Sequence, residues 1–199
     1  RKSERPIKKK IVQVVRLGIV VALIIGGLSG YSVDAAELRG LQVKKNGARI
    51  EVEAELFIEA PTLQVFDALA DYGEFADLSS AYLESRYLEP DVDGTPRIYT
   101  KVRGCVLFFC RTIVRVARLD TVPYRQITAT VEPALSDFDY GVEQWEMHQH
   151  EAGTMLIYRH VMQPGFWVPP ILGPWVLRRL LRRDALSAAE HLESLAGTG

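Results

Sequence analysis

The chain lacks the signatures of the commonest nucleotide-dependent and hydrolytic sites. Its 199 residues contain no Gly-x-Gly-x-x-Gly, no phosphate loop, no Gly-x-Ser-x-Gly elbow and no His-Glu-x-x-His, so no dinucleotide, nucleoside-triphosphate, serine-hydrolase or zinc-peptidase chemistry is signalled and no cofactor is expected. It has only two cysteines and no internal repeat, and with 48% hydrophobic residues it carries no mark of disorder. A basic footprint is also missing. Of the 24 bases seven lie in residues 1–36, and of the 25 acids only two lie there, which leaves 17 bases against 23 acids and a net charge of −6 beyond residue 36. An acidic body argues against nucleic acid as a partner.

What is present begins with an export signal. Lys8-Lys9-Lys10 precedes a twelve-residue apolar run, Leu17 to Leu28, and Val33-Asp34-Ala35 offers small residues for cleavage before Ala36. The alternative is an uncleaved anchor over the 21 residues Ile11 to Tyr31, long enough to span a bilayer. That span would hold Arg16, at a cost of roughly 2.5–3.5 kcal/mol near a helix centre. Both readings put a single domain, residues 37–199, outside the cytoplasm, either in the bacterial periplasm or anchored facing it. Cys105 and Cys110 flank Val106-Leu107-Phe108-Phe109. An even, closely spaced pair in an exported domain favours a disulfide, and a hairpin would bring the two thiols face to face.

Leu41 to Val43, Asn46-Gly47 and Ala48 to Ile58 read as a hairpin, with Ile50, Val52, Ala54, Leu56 and Ile58 alternating with Arg49, Glu51, Glu53 and Glu55. Ala60-Pro61 opens a short helix with Val65, Phe66 and Leu69 as its apolar stripe, and a second short helix is read around Glu74 to Leu78. Strands are expected near 81–89, 96–104, 110–120, 125–132, 140–149 and 153–162, joined by short turns and therefore antiparallel. A helix from about Trp175 to Leu195 closes the chain, its apolar face formed by Leu177, Leu181, Ala185, Ala188, Leu192 and Leu195.

This order, together with Ile58-Glu59-Ala60-Pro61 and Val65-Phe66-Asp67-Ala68-Leu69-Ala70-Asp71-Tyr72, resembles the START-like polyketide cyclase/dehydrase and lipid-transport superfamily, with the coenzyme-Q-binding START-type branch as its nearest subgroup. The resemblance covers roughly residues 48–196. It implies an α+β helix-grip fold, a curved antiparallel sheet wrapped around the long C-terminal helix with two short helices after the first long strand. The paired cysteines, the extra N-terminal hairpin and the export signal depart from the quinone-binding branch. In the resembled fold the inward sheet face lines a cavity under the last helix. Trp145, Met147, Leu156, Tyr158, His160 and Met162 would then supply an apolar pocket with polar handles. The alternative is that they are satisfied core. His148 and His150 share a strand face with Glu146, yet the expectation there is solvent rather than metal.

Two apolar loops stand out. Val106, Leu107, Phe108 and Phe109 occupy a hairpin tip where polar residues are usual. Phe166, Trp167, Ile171 and Trp175 belong to a second such loop, followed directly by Arg178, Arg179, Arg182 and Arg183. Exposed apolar patches rimmed by charge suit a membrane surface; the alternative is packing on the body, with the arginines paired to acids. With the export signal, the resemblance leads to the expectation of an exported carrier, a monomer, for a hydrophobic or amphipathic ligand: phospholipid, isoprenoid, hopanoid or quinone. Its rivals are a cyclase or dehydratase, in which Tyr158, His160 or Asp137 would transfer protons, and a protein-interaction module.

Overall fold

A computed structural model describes residues 37–75, 81–106, 109–168 and 173–196, the backbone alone at 106, 109, 195 and 196. The basic and apolar start, Leu107 and Phe108, Ile171 and most of the second short helix expected around Glu74 to Leu78 lie outside the described residues.

The elements follow the expected order. Strands β1 (Glu37–Asn46) and β2 (Arg49–Ile58) precede helix α1 (Thr62–Ala70). The strands β3 (Tyr82–Leu88), β4 (Arg97–Val106), β5 (Phe109–Val122), β6 (Gln126–Val131), β7 (Phe138–His150) and β8 (Gly153–Pro164) follow, and helix α2 (Pro174–Ala196) ends the domain. All eight strands join one curved, open antiparallel sheet in the order β1-β2-β8-β7-β6-β5-β4-β3. Neighbours in sequence are neighbours in space except at β2–β8, where Ala54 sits opposite Tyr158 and Leu56 opposite Leu156. That pairing brings the inward faces of β2, β7 and β8 together.

The turns show why these residues fold so. Asn46 pairs with Arg49, so the two-residue loop is Gly47-Ala48, with Gly47 at φ 61°, a conformation a side chain would resist. At the β7–β8 turn a Cβ on Gly153 would lie 2.2 Å from the Ile58 carbonyl oxygen, so only glycine lets β8 start against the end of β2. The Ala60-Pro61 link is tied to β8 by Thr154 Oγ1, which donates to the Ala60 carbonyl at 2.8 Å and lies 3.0 Å from Thr62 Oγ1. These buried contacts aim α1 across the sheet.

One core joins Ala54, Leu56 and Ile58 of β2 to Val65 and Leu69 of α1, Ile98, Ala117, Ile127, Met147 and Leu156 of the meander, and Ala189 and Leu192 of α2. A smaller cluster gathers Val43, Ile50 and Val52, with Met162, Leu177 and Leu181 packed against it. The expected face of the last helix is therefore the face that packs, its second half on the main core and its first half on the small cluster. Cys105 and Cys110 are opposite each other in the β4–β5 hairpin and are disulfide-bonded.

Candidate functional site

Between the sheet and α2 lies a cavity of about 270 Å³. The space follows from side-chain size. Where α2 crosses the sheet it presents Ala185, Ala188 and Ala189, and β2 opposes them with Ala54. Leucines at those helix positions would occupy the volume. The remaining walls are almost wholly apolar: Leu41, Val52, Leu56, Ile58, Leu69, Phe75 and Leu156, with Tyr82 and Val102 on the far side. Asp184 lies on the wall and is also exposed to solvent, so the cavity reaches the surface beside it. Partial burial pushes the Asp184 carboxyl above its ordinary range, against the lowering effect of Arg183.

A buried polar cluster sits at the wall. Glu143 of β7 faces inward, 4% exposed, and lines the cavity. Arg115 of β5, 7% exposed, places Nη1 2.6 Å from Glu143 Oε2 and Nε 3.2 Å from Thr100 Oγ1. Tyr158 Oη lies 3.0 Å from Glu143 Oε1 and 3.0 Å from His160 Nδ1. Proton bookkeeping orders the chain. Burial would raise the Glu143 carboxyl, but the Arg115 charge and the donated hydrogen bonds outweigh it and hold the group low and ionised. An ionised carboxylate only accepts, so the Tyr158 hydroxyl donates to it and His160 Nδ1–H donates to Tyr158. Burial lowers the His160 pKa to about 4 and raises that of Tyr158 well above its usual value, so both are neutral near pH 7. Donors are left over here among the described residues. Arg115 Nη2 and Trp145 Nε1 are buried without a hydrogen-bond partner, and such orphans are costly unless a ligand or water meets them.

Of the side chains expected in the pocket, Trp145, Leu156 and Tyr158 line the cavity, and the Trp145 and Tyr158 rings stand 4.3 Å apart. His160 sits behind them as the hydrogen-bond partner of Tyr158. Met162 joins the small cluster under Leu177 and Leu181. Met147 is in the core and borders an open groove of about 1020 Å³ between α1, the β5–β6 turn and β7. His148 Nε2 lies 2.9 Å from Glu146 Oε1, and the His150 ring packs edge-on to Phe57; no metal-capable group of three is present among the described residues.

Arg115 and Glu143 were not singled out from the sequence. Charged residues on strands usually face water, and both look that way in isolation. The available signal was parity: Glu143 is in step with Trp145 and Met147, and Arg115 with Ala117 and Leu119.

The start of the second apolar loop touches the strand that leaves the disulfide. The Arg111 guanidinium, next to the disulfide, stacks 3.9 Å over the Phe166 ring. Trp167 is 69% exposed and Trp175 70%. Arg178, Arg179, Arg182 and Arg183 are exposed, and no ion pair of theirs occurs among the described residues. No described helix is long and apolar enough to cross a membrane.

An eight-stranded curved sheet gripping a C-terminal helix over an internal cavity is the START-like helix-grip fold. In fold the chain is similar to a STAR-related lipid transfer protein from Xanthomonas axonopodis, at 16% identity over 77% of this chain and 98% of that one, TM-score 0.55. It is similar to the Zhui aromatase/cyclase from Streptomyces sp. R1128, at 19% identity over 75% and 94%, TM-score 0.55. A third similar structure is the di-domain ARO/CYC StfQ from the steffimycin biosynthetic pathway, at 15% identity over 76% of this chain, TM-score 0.55; the chain spans about half of StfQ's length, 51%. No protein-family model matches the chain, and no curated protein matches it by sequence.

Proposed function

We propose that this protein is an exported carrier that shields the apolar part of an amphipathic small molecule in the cavity under α2 and holds its polar end at the Arg115–Glu143–Tyr158 cluster. The observation that carries the reading is an apolar cavity whose wall holds Glu143, Tyr158 and Trp145, the last with a buried Nε1 that has no hydrogen-bond partner among the described residues. A carbonyl or phenolic oxygen of a ligand would accept from Trp145 Nε1, while each methylene taken from water contributes about 0.8 kcal/mol. The volume, equal to about nine waters at roughly 30 Å³ each, suits one chain or a fused ring system. A two-chain phospholipid would need the cavity to widen. The basic and apolar start and the disulfide support an oxidising location outside the cytoplasm.

Extraction and mass spectrometry of purified protein should yield one class of oxygen-bearing, single-chain or polycyclic amphiphile. Protein that emerges empty and takes up no such probe from solution would sink the carrier reading. Leu156→Trp should cut uptake at least tenfold by filling the space, with a stability change of about 1–3 kcal/mol from overpacking.

Asp184 gives the site a pH dependence. An apolar ligand seated beside it desolvates its carboxyl further and raises its pKa more, so binding takes up a proton and tightens as pH falls. Titrations between pH 7.5 and 4.5 should show this trend in the parent and a reduced slope in Asp184→Asn. Equal slopes would remove Asp184 from the account.

The hydrogen-bonded run from Glu143 through Tyr158 to His160 favours a second reading, a cyclase or dehydratase acting on a polyketide-like substrate in the same cavity. A change in mass of the bound molecule on incubation distinguishes it from a carrier, which returns its ligand intact.

A further inference from the structure

We infer, resting on the carrier reading, that the cavity sorts amphiphiles by their polar end, admitting a neutral hydroxyl and turning away the matching carboxylate. The charges that face the space are of one sign. Glu143 and Asp184 lie on the wall, and no lysine, arginine or histidine is among the described lining residues. Arg115 binds Glu143 Oε2 through Nη1 at 2.6 Å without itself lining the cavity, so the pair turns its negative end toward a ligand. The surrounding groups register that polarity. Burial is the largest influence on Tyr82, Tyr158 and His160, and at each of them the Glu143 charge then acts more strongly than the opposing Arg115 charge. At the mouth Asp184 adds a second carboxylate, and Arg183, the cation acting on it, is exposed and screened by solvent. An anion entering between these acids would meet repulsion that the apolar walls strengthen relative to water.

Hydrogen bonding then chooses among neutral ends. An ionised carboxylate offers about four lone-pair sites and donates nothing. On Glu143 one site of Oε2 is taken by Arg115 and one of Oε1 by Tyr158, so acceptor capacity is left, and a ligand group that meets it must donate. Trp145 follows in step on the same face of β7, and its buried Nε1 has no acceptor among the described residues. A ligand group that meets the indole must therefore accept. A hydroxyl does both. A ketone or quinone carbonyl only accepts, and a carboxylate only accepts while bringing a charge of the wrong sign.

Full-length protein stripped of ligand, titrated calorimetrically near neutral pH with decanol, methyl octyl ketone and decanoate, tests this with probes of equal carbon count. Decanol should bind about tenfold or more tightly than the ketone, which cannot donate to the charged acceptor, and the ketone more tightly than decanoate. Asp184→Asn should narrow the gap between decanol and decanoate by roughly fivefold, the effect of one nearby like charge in a wet site. Glu143→Gln leaves the Arg115 charge unmatched and should reverse the order, with decanoate ahead of decanol. If that variant fails to fold, the parent and Asp184→Asn still decide. Decanoate or the ketone binding the parent as tightly as decanol would overturn the proposal and leave the carrier reading standing. A gap unchanged in Asp184→Asn would overturn the share given to the mouth. Binding of none of the three probes would bring down the carrier reading and the proposal together.

Discussion

Glu143→Ala should lower folding stability by about 3–5 kcal/mol, because it leaves the Arg115 guanidinium buried with no counter-charge. For a domain of this size that corresponds to a fall of roughly 6–20 °C in Tm. Arg115 is 7% exposed and its other side-chain hydrogen bond is to the neutral Thr100 hydroxyl, so no second ion pair among the described residues offsets the charge. The loss reaches further, since Tyr158 would also lose its acceptor. The paired substitution Arg115→Met/Glu143→Leu should recover most of the stability, since removing both charges avoids the desolvation cost that the pair now offsets. It should not recover ligand binding, because the Glu143 carboxylate that lines the cavity and holds Tyr158 is gone. Urea unfolding of the two single variants and the double variant, run beside ligand titrations, separates the effects. A double variant that is as unstable as Glu143→Ala would mean that shape, not charge pairing, holds this part of the core. One that binds ligand like the parent would remove the cluster from the binding site.

Acidification should produce the second large effect. His160 is buried with its pKa lowered from 6.5 to about 4. Above pH 6.5 it is neutral folded and unfolded, and contributes no pH dependence. Below that value the unfolded chain takes up a proton that the folded protein refuses, so stability falls as pH drops from about 6.5 toward 4, by up to about 3 kcal/mol, and then levels. Glu143 adds to the loss only below its unfolded value of 4.5, since its folded pKa is lowered. The carboxylates of exposed Glu84 and half-buried Glu146, also lowered, act in that same acid range. Between pH 6.5 and 4.5 the imidazole is therefore the group that lowers stability, opposed by Asp184, whose raised folded pKa lets the folded protein take up that proton first. His160→Asn keeps a donor for Tyr158 but does not titrate, so its stability should stay nearly flat across that window. Urea midpoints at several pH values would show this; a variant that falls as steeply as the parent would place the acid sensitivity elsewhere.

The strands were legible because one face of each is wet and the other dry, which imposes a period of two on the residues. The expected spans for β3 to β8 and α2 agree with the observed ones to within a few residues. The differences have local causes. β1 extends back to Glu37 because its pairing with β2 continues past an irregularity at Leu38/Gly40. The first loop is Gly47-Ala48 rather than Asn46-Gly47 because the register places Asn46 opposite Arg49. Trp145, Leu156 and Tyr158 were found by the same alternation, and they do share the cavity.

Alternation, short turns, the Ala60-Pro61 link and the spacing of Cys105 and Cys110 are encoded over a few residues each. The sequence by itself therefore determined the antiparallel meander, the terminal helix and the disulfide-closed hairpin. Which strand closes the sheet, and what fills the space beneath the helix, depend on contacts between distant segments. Only the tertiary structure set β2 against β8, laid three alanines of α2 over Ala54 to leave a cavity, and brought Arg115 within 2.6 Å of Glu143 across a separation of 28 residues. A charge on a strand becomes a buried site only when a partner on another strand and a helix above exclude water from both, and no local pattern records that meeting.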